Sequence, residues 1–169
     1  MPMLSRAAYV AVTALGLVVL TGCGGTERLA FQDRGVEFRY PVGWSVTGFS
    51  RTVSPARLVV ASYRVTPSEV EGDCAGHRAL ASLPGNGAAL LLIDYGTAHR
   101  AGFAPPPKNL RMRQLARGNY ECFGDSYMLR FKAAGHDFQA HLKLGENATA
   151  STRQQALQIL DSVDRATQP

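Results

Sequence analysis

The stretch Ala88-Ala89-Leu90-Leu91-Leu92-Ile93-Asp94-Tyr95 is almost entirely apolar and follows Pro84-Gly85-Asn86-Gly87, a run of turn-forming residues. An apolar run of this length, without the alternation of a half-exposed strand, predicts a central strand that is covered on both faces. Residues 75–83 predict a short helix that the turn-forming residues stop. The centre of the fold is therefore expected to be a sheet with packed layers on both sides.

A hairpin is predicted closer to the C-terminus. Residues 127–132 and 138–144 alternate in polarity, and residues 133–137 between them predict the turn. The inward face is expected to hold Tyr127, Leu129, Phe131, Phe138, Ala140, Leu142 and Leu144. The outward face is expected to expose Arg130, Lys132, Gln139, His141 and Lys143 to solvent.

Other elements are predicted around this centre. Strands are expected at residues 36–40, 58–65 and 120–123, the first because apolar residues alternate there with Glu37 and Arg39. An amphipathic helix is expected over residues 152–166, with Ser151 and Gln154 as a capping box. Residues 96–117 contain three consecutive prolines and are expected to be irregular.

The N-terminal residues resemble an export signal with a lipid attachment site. Arg6 precedes an apolar run over residues 7–20, and Leu20-Thr21-Gly22-Cys23 resembles the lipobox at which bacterial lipoproteins are cut and acylated. One alternative is a retained membrane-spanning helix, but the run is shorter than the ~20 residues that a bilayer core requires. Another is an ordinary secretory signal with an accidental cysteine. We expect cleavage before Cys23 and lipidation of its thiol.

Cleavage there would leave one domain of ordinary size. We expect residues 1–22 to be the signal peptide, residues 23–32 a lipidated tether and residues 33–169 a globular domain. Two or more acyl chains anchor a protein stably, so the expected location is extracytoplasmic, on the bacterial cell membrane.

The charge balance favours particular partners. The formal net charge of the chain is +5, and arginine far outnumbers lysine. A mild positive charge favours an anionic lipid or polymer of the envelope, with an envelope protein as the other possibility. Export disfavours nucleic acid as a partner.

The other two cysteines, Cys74 and Cys122, form an even pair in an exported chain. We expect a disulfide between them, which would stabilise the fold by about 4 kcal/mol through the long loop it closes. A metal or redox site is the alternative, but there is no Cys-x-x-Cys pair and no convincing third ligand near either thiol.

The irregular segment carries the candidate contact surface. Its cations are Lys108, Arg111, Arg113 and Arg117, and a basic loop close to a membrane is suited to anionic partners. An ordinary solvated loop is the alternative.

Two segments carry a resemblance to a known family. Phe38-Arg39-Tyr40-Pro41-Val42-Gly43-Trp44 resembles the opening strand and turn of the PsbP-like proteins, a superfamily that includes many bacterial lipoproteins. Ala156-Leu157-Gln158-Ile159-Leu160-Asp161-Ser162-Val163 is similar to the closing helix of that superfamily. The resemblance implies an α+β fold, an antiparallel sheet with helices packed on its faces in an α/β/α sandwich, used for binding and assembly rather than catalysis.

Catalytic patterns are sparse. Gly124-Asp125-Ser126 resembles the nucleophile block of GDS-type lipid hydrolases, but no Asp-x-x-His pair follows to supply a base and its orienting acid. Asp125 and Ser126 are therefore expected to be turn residues. The four histidines lack the spacing of a metal site and are expected to be exposed.

The sequence thus predicts a membrane-anchored extracytoplasmic lipoprotein that acts as a non-enzymatic binding or assembly module, without a cofactor. The alternative is a lipid- or wall-modifying serine hydrolase that uses Ser126.

Overall fold

The computed structural model describes residues 27–50, 53–71, 76–97, 101–120, 123–133 and 135–165. These residues form two sheets and two α-helices. The larger sheet has six strands in the order β3-β4-β5-β8-β7-β6, and the smaller has three in the order β1-β2-β9. The strands are β1 (Arg28–Asp33), β2 (Val36–Pro41), β3 (Ser45–Val46), β4 (Ala56–Ala61), β5 (Ala88–Asp94), β6 (Ala116–Tyr120), β7 (Gly124–Ala133), β8 (His136–Leu144) and β9 (Asp164–Arg165). The helices are α1 (His77–Ala81) and α2 (Ala150–Asp161).

Strand β5 lies inside the larger sheet, and every one of its residues is buried. It pairs antiparallel with β4 on one side and with β8 on the other. An apolar strand without alternation requires cover on both faces, and the structure provides it. The predicted central strand is confirmed.

Each face of the larger sheet has its own core and its own helix. Residues Leu58, Leu90 and Leu142 share one core with Ile159 and Leu160 of α2. Their neighbours along the strands, including Val59, Leu91 and Ile93, share the other core with Ala79 of α1. Successive side chains of a strand point to opposite faces, so each apolar strand supplies both cores.

Helix α2 begins and ends earlier than predicted. The hydroxyl oxygen of Thr149 accepts from the backbone N–H of Thr152 at 3.1 Å, so Thr149 is the N-cap and the predicted cap at Ser151 and Gln154 is wrong. The helix ends at Asp161, and Asp164–Arg165 pairs with β2 as strand β9.

The Asp161-Ser162 pair ties the end of α2 to two other segments. The carboxylate of Asp161 accepts from the backbone N–H of Leu110 at 2.8 Å. The hydroxyl oxygen of Ser162 accepts from the N–H of Arg39 at 2.9 Å and lies 3.2 Å from the carbonyl oxygen of Arg39. The Leu-Asp-Ser-Val segment therefore fastens the irregular loop and strand β2 to the helix.

The first described residues are not a free tether. Residues Arg28–Asp33 form β1, which pairs along its whole length with β2. The expected tether over residues 23–32 therefore overlaps a paired strand, and the expected domain start at residue 33 lies too late. Strand β1 is hard to predict from sequence because it is largely exposed and lacks a clean apolar alternation.

Several predicted boundaries also differ. Strand β4 is Ala56–Ala61 rather than 58–65, and α1 is His77–Ala81 within the predicted 75–83. Of the predicted strand at residues 120–123, Tyr120 ends β6 and Phe123 lies in the turn before β7, which begins at Gly124; residues 121 and 122 lie outside the described residues. The hairpin of β7 and β8 is tighter than predicted, with Ala133 paired to His136.

The fold class is confirmed at the coarse level: the chain is α+β, with mostly antiparallel sheets and helices packed on them. Within the residues that the structure describes, no helix has the length and apolarity needed to cross a bilayer.

Candidate functional site

The register of the larger sheet defines two ends. Ala88 of β5 lies opposite Leu144 of β8, and Asp94 lies opposite Phe138, next to His136. We call these the Ala88 end and the Asp94 end. Helix α2 starts at the Ala88 end, where the hydroxyl of Thr152 donates to the carbonyl of Asn86 at 3.4 Å.

A cleft of about 450 Å³ opens at the Ala88 end. Its walls come from strands β6 and β7, the end of β8 and the first turn of α2. It is lined by Met112, Arg117, Asp125, Ser126, Tyr127, Leu142, Lys143, Leu144, Gly145, Glu146 and Arg153. Because three cations line it, we call it the basic cleft. Its volume is in the range of small-molecule or headgroup sites.

The three cations of the basic cleft bind neutral groups. The guanidinium of Arg117 lies 4.0 Å from the centre of the Tyr127 ring and donates to its hydroxyl at 3.0 Å. Arg153 donates to the carbonyl of Ala148 at 2.8 Å, and Lys143 donates to the carbonyl of Asp125 at 2.6 Å. Cation–π contacts and carbonyl acceptors orient a cation without neutralising it. Two carboxylates, those of Asp125 and Glu146, also line the cleft, so it offers both signs of charge.

Of the predicted contact residues, Arg117 lines this cleft. Lys108, Arg111, Arg113 and Arg117 are all exposed. Arg117 lies on strand β6 rather than in the loop, which corrects its expected position. Met112, between Arg111 and Arg113, lines the cleft and packs against the core. The structure therefore brings Arg111 and Arg113 to the rim of a cleft that Arg117 lines.

Beneath the cleft, a chain of hydrogen bonds runs through the sheet. The Nε atom of Arg130 donates to Oε1 of Gln139 at 3.3 Å, and the amide nitrogen of Gln139 lies 2.6 Å from Nε2 of His141. The Nδ1 atom of His141 lies 2.8 Å from the hydroxyl oxygen of Ser126. That hydroxyl lies 3.3 Å from the carbonyl oxygen of Gly118 and can donate to it.

The donor groups determine which partner donates at each step of this series of hydrogen bonds. Arginine has no acceptor atom, so Oε1 of Gln139 must accept from it and the amide nitrogen must donate to His141. Nε2 of His141 is then an acceptor, and the ring proton lies on Nδ1 and points to Ser126. Ser126 accepts from His141 and donates to Gly118. In this arrangement His141 has no free acceptor to take the Ser126 proton, as a general base would require.

The positions of Ser126 and His141 correct two predictions. Ser126 lies within β7 rather than in a turn and is 2% exposed, and His141 is fully buried rather than exposed. Gln139 is buried too. The polar face of the hairpin is covered because Phe123 and Tyr120 pack on the His141 ring, with centroids 6.2 and 5.0 Å away.

Burial changes the protonation of His141. Desolvation of the ring, followed by the positive charge of Arg130, lowers the pKa of His141 to about 4. The ring is therefore neutral at physiological pH, in agreement with its role as both donor and acceptor in the chain.

Other predicted residues lie outside the described residues: Cys23, Cys74, Cys122 and residues 1–22 of the signal. The described neighbours of the two later cysteines do meet. A Cβ placed on Gly76 would lie 3.0 Å from Cδ2 of Phe123. The disulfide stays a prediction, because neither cysteine lies among the described residues.

Within the described ranges, no group of three His, Cys, Asp or Glu side chains could hold a metal ion. No family model matches the chain, and neither a curated protein nor a solved structure matches it significantly.

Proposed function

We propose that this chain is a lipid-anchored, extracytoplasmic binding protein of the bacterial envelope, whose basic cleft lies against anionic lipid headgroups. The observation that carries the proposal is a coincidence of position. The described chain begins at the same end of the sheet at which the basic cleft opens.

Hydrogen bonds and strand pairing determine where the first described residues lie. Arg28 pairs with Pro41 of β2, and Trp44 follows Pro41 closely, donating through its indole N–H to Gln155 in the first half of α2 at 3.3 Å. Ser45 then pairs with Ala61, which is opposite Ala89. The first described residues therefore lie at the Ala88 end.

The length of the segment between Cys23 and Glu27 limits how far the anchor can lie from the fold. An extended chain spans at most about 3.6 Å per residue, so Cys23 lies within about 15 Å of Glu27. Acyl chains on Cys23 would keep the Ala88 end close to the bilayer, where the Debye length at physiological salt is about 8 Å. Each cation near an anionic surface contributes about 1 kcal/mol. Arg111, Arg113 and Arg117 are exposed and suited to this role.

The proposed binding role needs no catalysis. It agrees with the PsbP-like resemblance, in which the α/β/α sandwich serves binding and assembly. The alternative is a serine hydrolase. The distance of 2.8 Å between Ser126 and His141 is short enough for a nucleophile and its base. The burial of Ser126 and the direction of the hydrogen bonds argue against a hydrolase.

Lipidation is tested on protein isolated from bacterial envelopes. Mass spectrometry of the N-terminal peptide should find Cys23 as the first residue, carrying a diacylglyceryl group. A Cys23→Ala variant should keep its leader. Wild-type protein that retains residues 1–22 with an unmodified thiol would contradict the proposal.

A further inference from the structure

A second cleft, of about 460 Å³, opens at the Asp94 end, opposite the basic cleft. It is lined by the turn between β1 and β2, the segment before β4, the end of β5 and the start of β8. Its polar side chains include Arg34, Ser54, Asp94 and His136. We call it the histidine cleft.

Asp94 and His136 form an oriented pair in this cleft. Asp94 is buried, and its carboxylate accepts from the N–H of Gly96 at 2.7 Å and lies 2.9 and 3.0 Å from Nδ1 of His136. A carboxylate can only accept, so the Nδ1 atom carries a proton. Among the described residues, Nε2 of His136 has no hydrogen-bond partner. The histidine is 24% exposed, which corrects the expectation of a fully exposed side chain.

Arg34 supplies the second charge of the histidine cleft. It lies in the turn between β1 and β2 with a φ of 52°, a left-handed conformation that is uncommon for a residue other than glycine. Its side chain has no hydrogen bond or ion pair to any residue that the structure describes. A guanidinium binds phosphate and carboxylate oxygens through two parallel hydrogen bonds.

We propose that the histidine cleft binds the phosphate group of a small water-soluble molecule, a phosphate monoester or inorganic phosphate, between Arg34 and Nε2 of His136. The guanidinium of Arg34 would hold two phosphate oxygens. The imidazole of His136, kept in position by Asp94, would bind a third.

The chemistry of Nε2 favours phosphate over carboxylate. While His136 is neutral, Nε2 is an acceptor and needs a ligand that brings a proton. A phosphate monoester has a second pKa of about 6, so near neutral pH it exchanges between a form with a P–OH donor and a form with acceptors only. It can therefore bind Nε2 whether or not the ring is protonated. A carboxylate at this pH has no proton to donate.

The site is independent of the lipid anchor. Strand β1 has six residues and is about 17 Å long, and it separates Arg28 at the Ala88 end from the turn that holds Arg34. A lipid headgroup would thus be harder to reach than a soluble phosphate. The experiment must separate these two sources.

The test titrates the full-length protein, as isolated from bacterial envelopes in detergent micelles, with inorganic phosphate at pH 7 while NMR follows the ring protons of His136. Saturable shifts of these resonances, with unchanged resonances of the exposed His77, are expected. Acetate should bind at least about tenfold more weakly, since one charge-assisted hydrogen bond is worth that much. Equal affinity for acetate, or no saturable shift, would overturn the proposal.

Variants of Arg34 and His136, with a control at Arg113, test whether these two residues form the phosphate site. Arg34→Asn removes the guanidinium and keeps a residue that tolerates a left-handed turn. His136→Asn removes Nε2 and keeps an amide that can donate to Asp94. Phosphate binding of the variants is measured by calorimetry, and each of these two substitutions should weaken it by at least about tenfold, whereas Arg113→Asn, which removes a guanidinium elsewhere, should not. Equal weakening by all three variants would mean a nonspecific charge effect and would refute the site.

Two competitors distinguish a soluble phosphate ligand from a lipid headgroup: glycerol phosphate and, separately, micelles that contain phosphatidic acid. Competition by glycerol phosphate alone supports a soluble ligand. Competition by phosphatidic acid alone would overturn that part of the proposal. Because no arm depends on Cys23, the proposed anchor can fail while this site stands, and the reverse also holds.

Discussion

The imidazole Nδ1 of His141 lies 2.8 Å from the hydroxyl oxygen of Ser126, and both residues are buried inside the larger sheet. The distance alone resembles that of a nucleophile and its base. The Arg130–Gln139 hydrogen bond argues against a catalytic base, because it fixes the ring proton of His141 on the nitrogen that faces Ser126. The pair belongs to a satisfied polar network within an apolar core.

The first prediction concerns the pH dependence of stability. Between pH 6.5 and about 4, the unfolded chain binds a proton at residue 141 that the folded protein does not bind. The free energy of unfolding should therefore be highest above pH 6.5 and fall as pH falls through this window, by about 3 kcal/mol in total from this residue. Denaturant unfolding at several pH values measures it.

The matched variants for this experiment are His141→Asn and His77→Asn. The first should flatten the pH dependence between pH 6.5 and 4, whatever its effect on absolute stability. The second removes an exposed histidine and should leave the wild-type slope. An unchanged slope in His141→Asn would show that the folded ring titrates normally.

Ser126→Ala should destabilise the fold. The substitution removes the acceptor of the His141 N–H, and a buried donor left without a partner costs about 1–3 kcal/mol. Ser151→Ala, at an exposed position on α2, should change the free energy of unfolding by no more than about 0.5 kcal/mol. Equal effects of the two substitutions would refute a structural role for Ser126.

Ser126 should not react with a fluorophosphonate probe. Its hydroxyl is 2% exposed and accepts from His141 rather than losing a proton to it. The folded full-length protein should therefore show no labelled Ser126 peptide in mass spectrometry, beside a serine hydrolase as the positive control. Stoichiometric labelling that Ser126→Ala abolishes would establish the hydrolase alternative.

The sequence-predicted bond between Cys74 and Cys122 is tested by alkylation without reduction, followed by mass spectrometry. A joined pair of peptides is expected. Reduction should then lower the free energy of unfolding by about 4 kcal/mol. Recovery of both thiols in alkylated form before reduction would exclude the bond.

The central strand and the apolar face of the hairpin were predictable because burial imposes a simple pattern on them. Strand β5 is apolar at nearly every position, and its buried state follows from that alone. The alternation of β7 and β8 identified Phe131, Phe138 and Leu142 as core residues, and the structure confirms them.

The polarity pattern of β7 and β8 predicts an exposed His141 because it does not include the neighbouring strand β5. His141 lies opposite Leu91 of β5, and a strand that is covered on both faces implies that the adjacent strand is covered as well. For β8, this relation predicts that His141 is buried. The cover itself, through Phe123, depends on a turn whose position the sequence left ambiguous.

The two clefts could not be predicted, because each gathers residues from distant segments. The basic cleft joins Arg117, Lys143 and Arg153, and the histidine cleft joins Arg34, Asp94 and His136. Only the sheet register brings them together. The basic loop was visible as a cluster of charges, but Arg34 and His136 were isolated in the sequence.

Hydrogen–deuterium exchange of the lipidated protein on vesicles tests most directly whether the basic cleft lies against anionic lipid. The acyl chains dominate how much protein binds to the vesicles, whereas exchange reports which surface of the protein contacts the lipid. On anionic compared with zwitterionic vesicles, we predict slower exchange around residues 112–117 and 145–149, and unchanged exchange around residues 34–35 and 95–97. Arg113→Glu should reduce this protection, and Arg34→Glu, an equal change of charge at the Asp94 end, should not. Protection of the Asp94 end, or equal exchange on both kinds of vesicle, would contradict the account.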